Sequence, residues 1–185
     1  MGMKTRIFRR LKNFRDATEG SVSVEFVMMM PILFWSFMAV YVYFDGYRQS
    51  TNQLKAAYTV SDLLSRETQS VSDGYIDSLH DLLQILTRAD SSTDLRVSVV
   101  RWDEDDNRYY IDWSETRDYG DPLTNATIGD LNDLLPVMPD NERIILVETR
   151  NVYAPRWDIG MADQDLENFV FTRPRFAPQL VFSNS

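Results

Sequence analysis

The sequence predicts an α+β protein: a long N-terminal transmembrane and stalk helix packed on a small, mostly antiparallel β-sheet head. Three observations carry this expectation. Phe26–Phe44 is a run of nineteen residues without a charge. A proline-free stretch with apolar residues near helical spacing continues it to about Arg66. After Leu95, short alternating or β-branched segments recur between turn residues.

The first element is set by the uncharged run. At ~1.5 Å per residue it covers roughly 28 Å, close to the hydrocarbon thickness of a bilayer. A buried helix of a water-soluble fold would show a polar stripe over that length, and FVMMMPILFWSFMAVYVYF shows none. The mean hydropathy of −0.32 hides this segregation. The net charge of −9 over 185 residues hides another. Residues 1–20 carry six basic and two acidic side chains, a net of +4, and the remainder carries −13. The Lys/Arg cluster before the span and the acidic chain after it place the N-terminus in the cytoplasm and the C-terminal part across the membrane. Trp35, Tyr41, Tyr43 and Tyr47 suit interfacial anchoring, three of them near the far end. A cleaved secretory signal fits poorly, because YVYFDGYRQS after the run has no small-residue cleavage pattern.

At the near end the sequence reads Gly20-Ser21-Val22-Ser23-Val24-Glu25-Phe26. A carboxylate at the head of an apolar run is costly in lipid and calls for a partner. A cut after Gly20 would make Ser21 a cationic N-terminus and Glu25 the fifth residue. Glycine places no side chain in the way of an extended backbone entering a protease site. With Gly20, Val24, Glu25, Phe26 and Pro31 in this order, the chain resembles the type IV prepilins. Within them it is similar to the TadE-like minor pseudopilins of tight-adherence (Tad/Flp) pilus systems. The resemblance implies processing between Gly20 and Ser21 by a prepilin peptidase in the bacterial inner membrane. It implies an assembly role for Glu25, paired with the N-terminal amine of a neighbour, since a buried carboxylate and ammonium are tolerable only together. Phe26 and Pro31 belong to the same assembly segment. The partners it implies are the membrane, the peptidase, other pilins and pseudopilins, and the assembly platform. Ser21 and Ser23 stand where alanine is commoner, and Met28-Met29-Met30 is unusual. The motif covers about residues 19–48; beyond it the likeness is one of layout.

The organisation expected is a basic leader, 1–20, a transmembrane and stalk helix, 21–68, and a periplasmic head, 69–185. Pro31 removes one helical hydrogen bond inside the span, and Gly46 is a weak point in the stalk. The outer half of the helix carries a stripe of Tyr43, Tyr47, Leu54, Ala57, Tyr58 and Leu64 toward the head. Ser70, Ser72 and Asp73 are capping candidates for a second helix, Tyr75–Arg88, whose apolar face is Ile76, Leu79, Leu83 and Leu86. Leu95–Trp102 and Arg108–Ser114 form a hairpin around the acidic turn 103–107. A short helix or turn covers Ile128–Leu135. Glu142–Tyr153 is a strand whose Ile144–Val147 run is buried on both faces. Phe169–Phe171 and Phe176–Phe182 are edge strands interrupted by Pro174 and Pro178.

Several function classes are excluded or weakened. Zero cysteine excludes disulfides, thiolate metal sites and cysteine nucleophiles, and His80 is the sole histidine. An acidic head is a poor nucleic-acid binder. The turn from Asp103 fails as an EF-hand, because Arg108 and Ser114 stand where glycine and glutamate are required. Asn125-Ala126-Thr127 matches a glycosylation sequon by chance. No catalytic, cofactor-binding or metal residues are expected, and the chain is read as a structural protein. Two other readings share its residues: an uncleaved signal-anchored protein with a periplasmic binding or sensing domain, and an anchored hydrolase using two carboxylates.

Overall fold

The computed structural model describes residues 21–89 and 91–183. A helix α1, Ser21–Arg66, leads to a two-residue strand β1, Val71–Ser72, and a helix α2, Asp73–Thr87. Strands β2, Asp94–Asp103, and β3, Arg108–Arg117, follow, then a 3-10 turn Ile128–Leu131. Strands β4, Arg143–Tyr153, β5, Gln164–Thr172, and β6, Phe182–Ser183, complete the chain. The fold class is α+β, with a four-stranded sheet ordered β3-β2-β4-β5, antiparallel throughout. The described residues divide into two compact units. One is the chain up to Phe44 with Arg156–Gly160; the other is Asp45–Pro155 with Met161 onward. The second unit therefore takes in the last turns of α1.

The sheet is built around β4. Ile144, Ile145, Leu146 and Val147 are all fully buried, as four consecutive apolar residues in a central strand require. Side chains alternate across a strand, so the four serve two cores. Ile145 and Val147 join Val97 and Val99 of β2 beneath Ala56, Val60 and Leu64 of α1 and Ile76, Leu79 and Leu83 of α2. Ile144 and Leu146 join Val100, Tyr109, Leu123, Ile128, Leu135 and Met138 on the other face. Ser72 caps α2 by accepting the Tyr75 N–H, and Arg88 closes it in the left-handed region at φ 50°.

Three details depart from the sequence reading. The stripe of α1 that enters the core is Gln53, Ala56, Ala57, Val60, Ser61 and Leu64, whereas Tyr47, Leu54 and Tyr58 are exposed. Small side chains let a helix backbone come close to a sheet, so size overrode hydropathy. The segment 176–182 is not a strand apart from Phe182. It is fixed by single bonds instead: Arg175 N–H to the Ser65 carbonyl, Trp113 Nε1–H to the Leu180 carbonyl, and Val71 N–H to the Val181 carbonyl. Pro174 and Pro178 lack the donors a ladder needs. The third departure is a β-bulge. Val99 pairs with Trp113 but Val100 pairs with Ile111, leaving Asp112 unmatched. The extra residue reverses the phase of β3. Trp113 thereby packs on the helix-side core, and Ile111 and Tyr109 on the other.

Gly46 continues α1 rather than breaking it. Its role is close approach: a Cβ there would sit 3.1 Å from the Tyr153 ring, whose hydroxyl lies 3.3 Å from Asp45 Oδ2. We predict that Gly46→Val destabilises this unit by about 1–3 kcal/mol, the usual cost of overpacking a fitted contact. Urea unfolding of the full chain in detergent, followed by tryptophan fluorescence, checks it; an unchanged midpoint would contradict the assigned contact.

Candidate functional site

The residues singled out by the sequence lie at the start of α1. Gly20 is outside the described residues. Ser21 is the first described residue of the helix, and Glu25 and Phe26 follow one turn later, both exposed in the single chain. Pro31 is inside the helix, which continues past it. Proline withdraws the bond its N–H would have given to the carbonyl of Val27. Farther along, Ser36 Oγ–H donates to the Ile32 carbonyl at 2.9 Å, a local bond that satisfies its hydroxyl without help from water. From Phe26 to Phe44 the helix shows apolar side chains on nearly all sides, and almost none of its most apolar window is buried. It is one helix long and apolar enough to cross a membrane.

One residue missed by sequence reasoning belongs to this unit. Trp157 stands edge-on to Tyr41, with ring centroids 4.9 Å apart and planes at 70°. With Phe37 and Phe44 it lines an apolar groove of about 510 Å³. Its only sequence signal is a lone tryptophan in the polar segment RWDIG, which has no periodicity to draw attention.

The head's charged groups are organised into ion pairs. Glu148 is buried and accepts two 2.7 Å bonds from Arg96, a bidentate pair. Arg150 donates to Asp94 at 2.9 and 2.7 Å. Both guanidiniums lie over the ring of Tyr119, at 4.5 and 5.2 Å from its centroid. Burial, and then the charge of Glu148, push the Tyr119 phenol above its ordinary value. Arg143 donates to Asp112 at 2.7 Å, and Arg117 bonds Asp73 and Asp77. These acids stabilise the fold as ion-pair acceptors. His80 is largely buried, with Nε2 2.8 Å from the Thr93 carbonyl and near Gln84, a structural role. Among the described residues no group of three or more His, Asp or Glu is placed to hold a metal ion.

The acidic turn is likewise absorbed by the backbone. Asp103 accepts the Asp106 N–H and a bond from Arg101, and Asp140 accepts the Glu104 N–H. Asn125 Oδ1 accepts the Ile111 N–H at 2.7 Å beside the bulge, so the sequon asparagine fastens an edge strand.

Two predictions follow from these pairs. Arg96→Met leaves Glu148 buried without its partner and should cost about 3–5 kcal/mol, read as a lower unfolding midpoint. The backbone N–H of Asp106, then Arg101, hold the Asp103 carboxyl below its ordinary value. A lowered folded pKa gives stability that is present above the unfolded value and lost as pH falls through the folded one. Carboxyl NMR should find Asp103 titrating below the ordinary aspartate value, and Arg101→Gln should raise its midpoint. Comparison of the chain with protein-family models, curated proteins and solved structures gives no match.

Proposed function

We propose that this chain is a minor pseudopilin of the TadE-like kind, a structural subunit acting in assembly of a tight-adherence pilus and in adhesion. Phe26–Phe44 anchors it in the bacterial inner membrane, with residues 1–20 cytoplasmic and the head periplasmic. A prepilin peptidase cuts between Gly20 and Ser21. Glu25 then pairs with the new amine of a neighbouring subunit, and Phe26 and Pro31 lie in the same contact segment. The observation that carries the reading is the string Gly20-Ser21-Val22-Ser23-Val24-Glu25-Phe26, set between a basic segment and an uncharged run of nineteen residues.

Physical chemistry supports each step. The positive charge before the run opposes translocation of the leader. Glu25 is the only charge between Ser21 and Phe44, and a carboxylate at that depth is stabilised by a cation at the same level. Cleavage makes such a cation in every copy. The chemistry is performed on the chain by the peptidase, and the paired carboxylates of the head serve its stability.

Mass spectrometry of the membrane form, from cells that contain the peptidase, should find Ser21 at the N-terminus. A chain still beginning at Met1 or Gly2 in those cells would overturn the proposal and favour an uncleaved signal-anchored protein. Glu25→Ala should be cleaved normally yet fail to support piliation; normal pili would remove the assembly role of the carboxylate.

A further inference from the structure

We propose that residues 156–160 form a second membrane contact, in which Trp157 is seated in the phospholipid interface beside the outer end of the span. The inference rests on reading Phe26–Phe44 as the membrane span. The geometry then leaves little freedom. Tyr41 lies three residues before the end of the uncharged run, about 4.5 Å along the helix axis from Phe44. A ring 4.9 Å from the Tyr41 ring is therefore at the depth where hydrocarbon gives way to headgroups.

The chemistry of the segment suits that depth. Tryptophan joins a large apolar body to a single N–H donor, the combination that favours the boundary layer. Trp157 is 39% exposed, so much of its ring meets whatever surrounds the helix. Arg156 precedes it, an exposed cationic residue of the kind favoured near anionic lipid headgroups. The groove between Trp157 and Phe37, Tyr41 and Phe44 is open at one side and almost wholly apolar. In water it would be a wetted apolar cleft; in a bilayer it accommodates the upper part of a phospholipid acyl chain.

The absence of native cysteine makes the test direct. Nitroxides are placed one at a time on the full chain in phosphatidylglycerol and phosphatidylethanolamine vesicles. Leu33→Cys reports the span, Asp158→Cys the segment, and Asp105→Cys the hairpin tip as an aqueous control. Collision with a water-soluble nickel chelate should be severalfold weaker at 158 than at 105, and weaker still at 33. A label at 158 as accessible as that at 105, with 33 shielded, overturns the proposal and leaves the span standing. An accessible label at 33 overturns the span itself. Adding Trp157→Asp should raise accessibility at 158 to the level of 105 and leave 33 unchanged; no change would remove Trp157 as the anchor.

Discussion

Four consecutive apolar residues, Ile144–Val147, are buried on both faces of the sheet, and the head follows from covering them. Alternation sends two side chains to each face, so the strand needs two independent covers. α1 and α2 supply one cover, through Ala56, Val60, Leu64, Ile76, Leu79 and Leu83. The 3-10 turn and the loops carrying Leu123, Leu135 and Met138 supply the other. A central strand also needs partners on both edges, which β2 and β5 provide. The bulge at Asp112 serves the same demand, because it lets one strand give Trp113 to one core and Ile111 to the other.

The helix α1 answers two different demands along one continuous element. Up to Phe44 its side chains are apolar almost all round, which suits a surrounding solvent that is itself apolar. From Asp45 onward only a narrow stripe is buried, in which small residues, Ala56, Ala57 and Ser61, alternate with Gln53, Val60 and Leu64. Gln53 is half satisfied in the core: its Nε2–H donates to the Leu166 carbonyl at 3.0 Å, while Oε1 has no partner among the described residues. Gly46 lies just past the change and takes part in a close ring contact with Tyr153. A glycine that looks like a defect by helix propensity thus also makes room for the Tyr153 ring.

What could be read from the sequence divides along the range of the interactions. The long helix, the Ser72 cap, the hairpin and the doubly buried strand depend on local pattern, and each stands close to where pattern puts it. The bulge, the small-residue stripe and the course of 176–182 depend on what lies opposite, which periodicity does not encode. β5 shows the same limit. The sequence marks only Phe169–Phe171 as strand, yet the strand begins at Gln164, with Leu166 paired to Asn151 and Glu167 to Arg150, because β4 offers an open edge. In the candidate site the contrast is sharper. Glu25 stands out in the sequence because it sits directly before the uncharged run with Gly20 five residues earlier. Trp157 does not, because its meaning comes only from a ring 116 residues earlier in the chain.

The distribution of charge connects these findings. An average of −9 describes no part of the molecule. Residues 1–20 are basic, the run 26–44 is neutral, and the rest is acidic, with several of its carboxylates matched to arginines at short range. Thirteen basic side chains beyond residue 20 cannot neutralise twenty-six acidic ones, so a net negative charge remains after pairing, and salt screens its field over about 8 Å at physiological ionic strength. Two such acidic surfaces repel at short range and ignore each other at long range, so their net charge is no basis for association. On the proposed function, the attraction between copies comes from the helix, from apolar packing and from the carboxylate near its start. On the same proposal, Glu25 rather than any acid of the sheet is the charge whose removal should matter to association, even though it contributes only one unit to the sum.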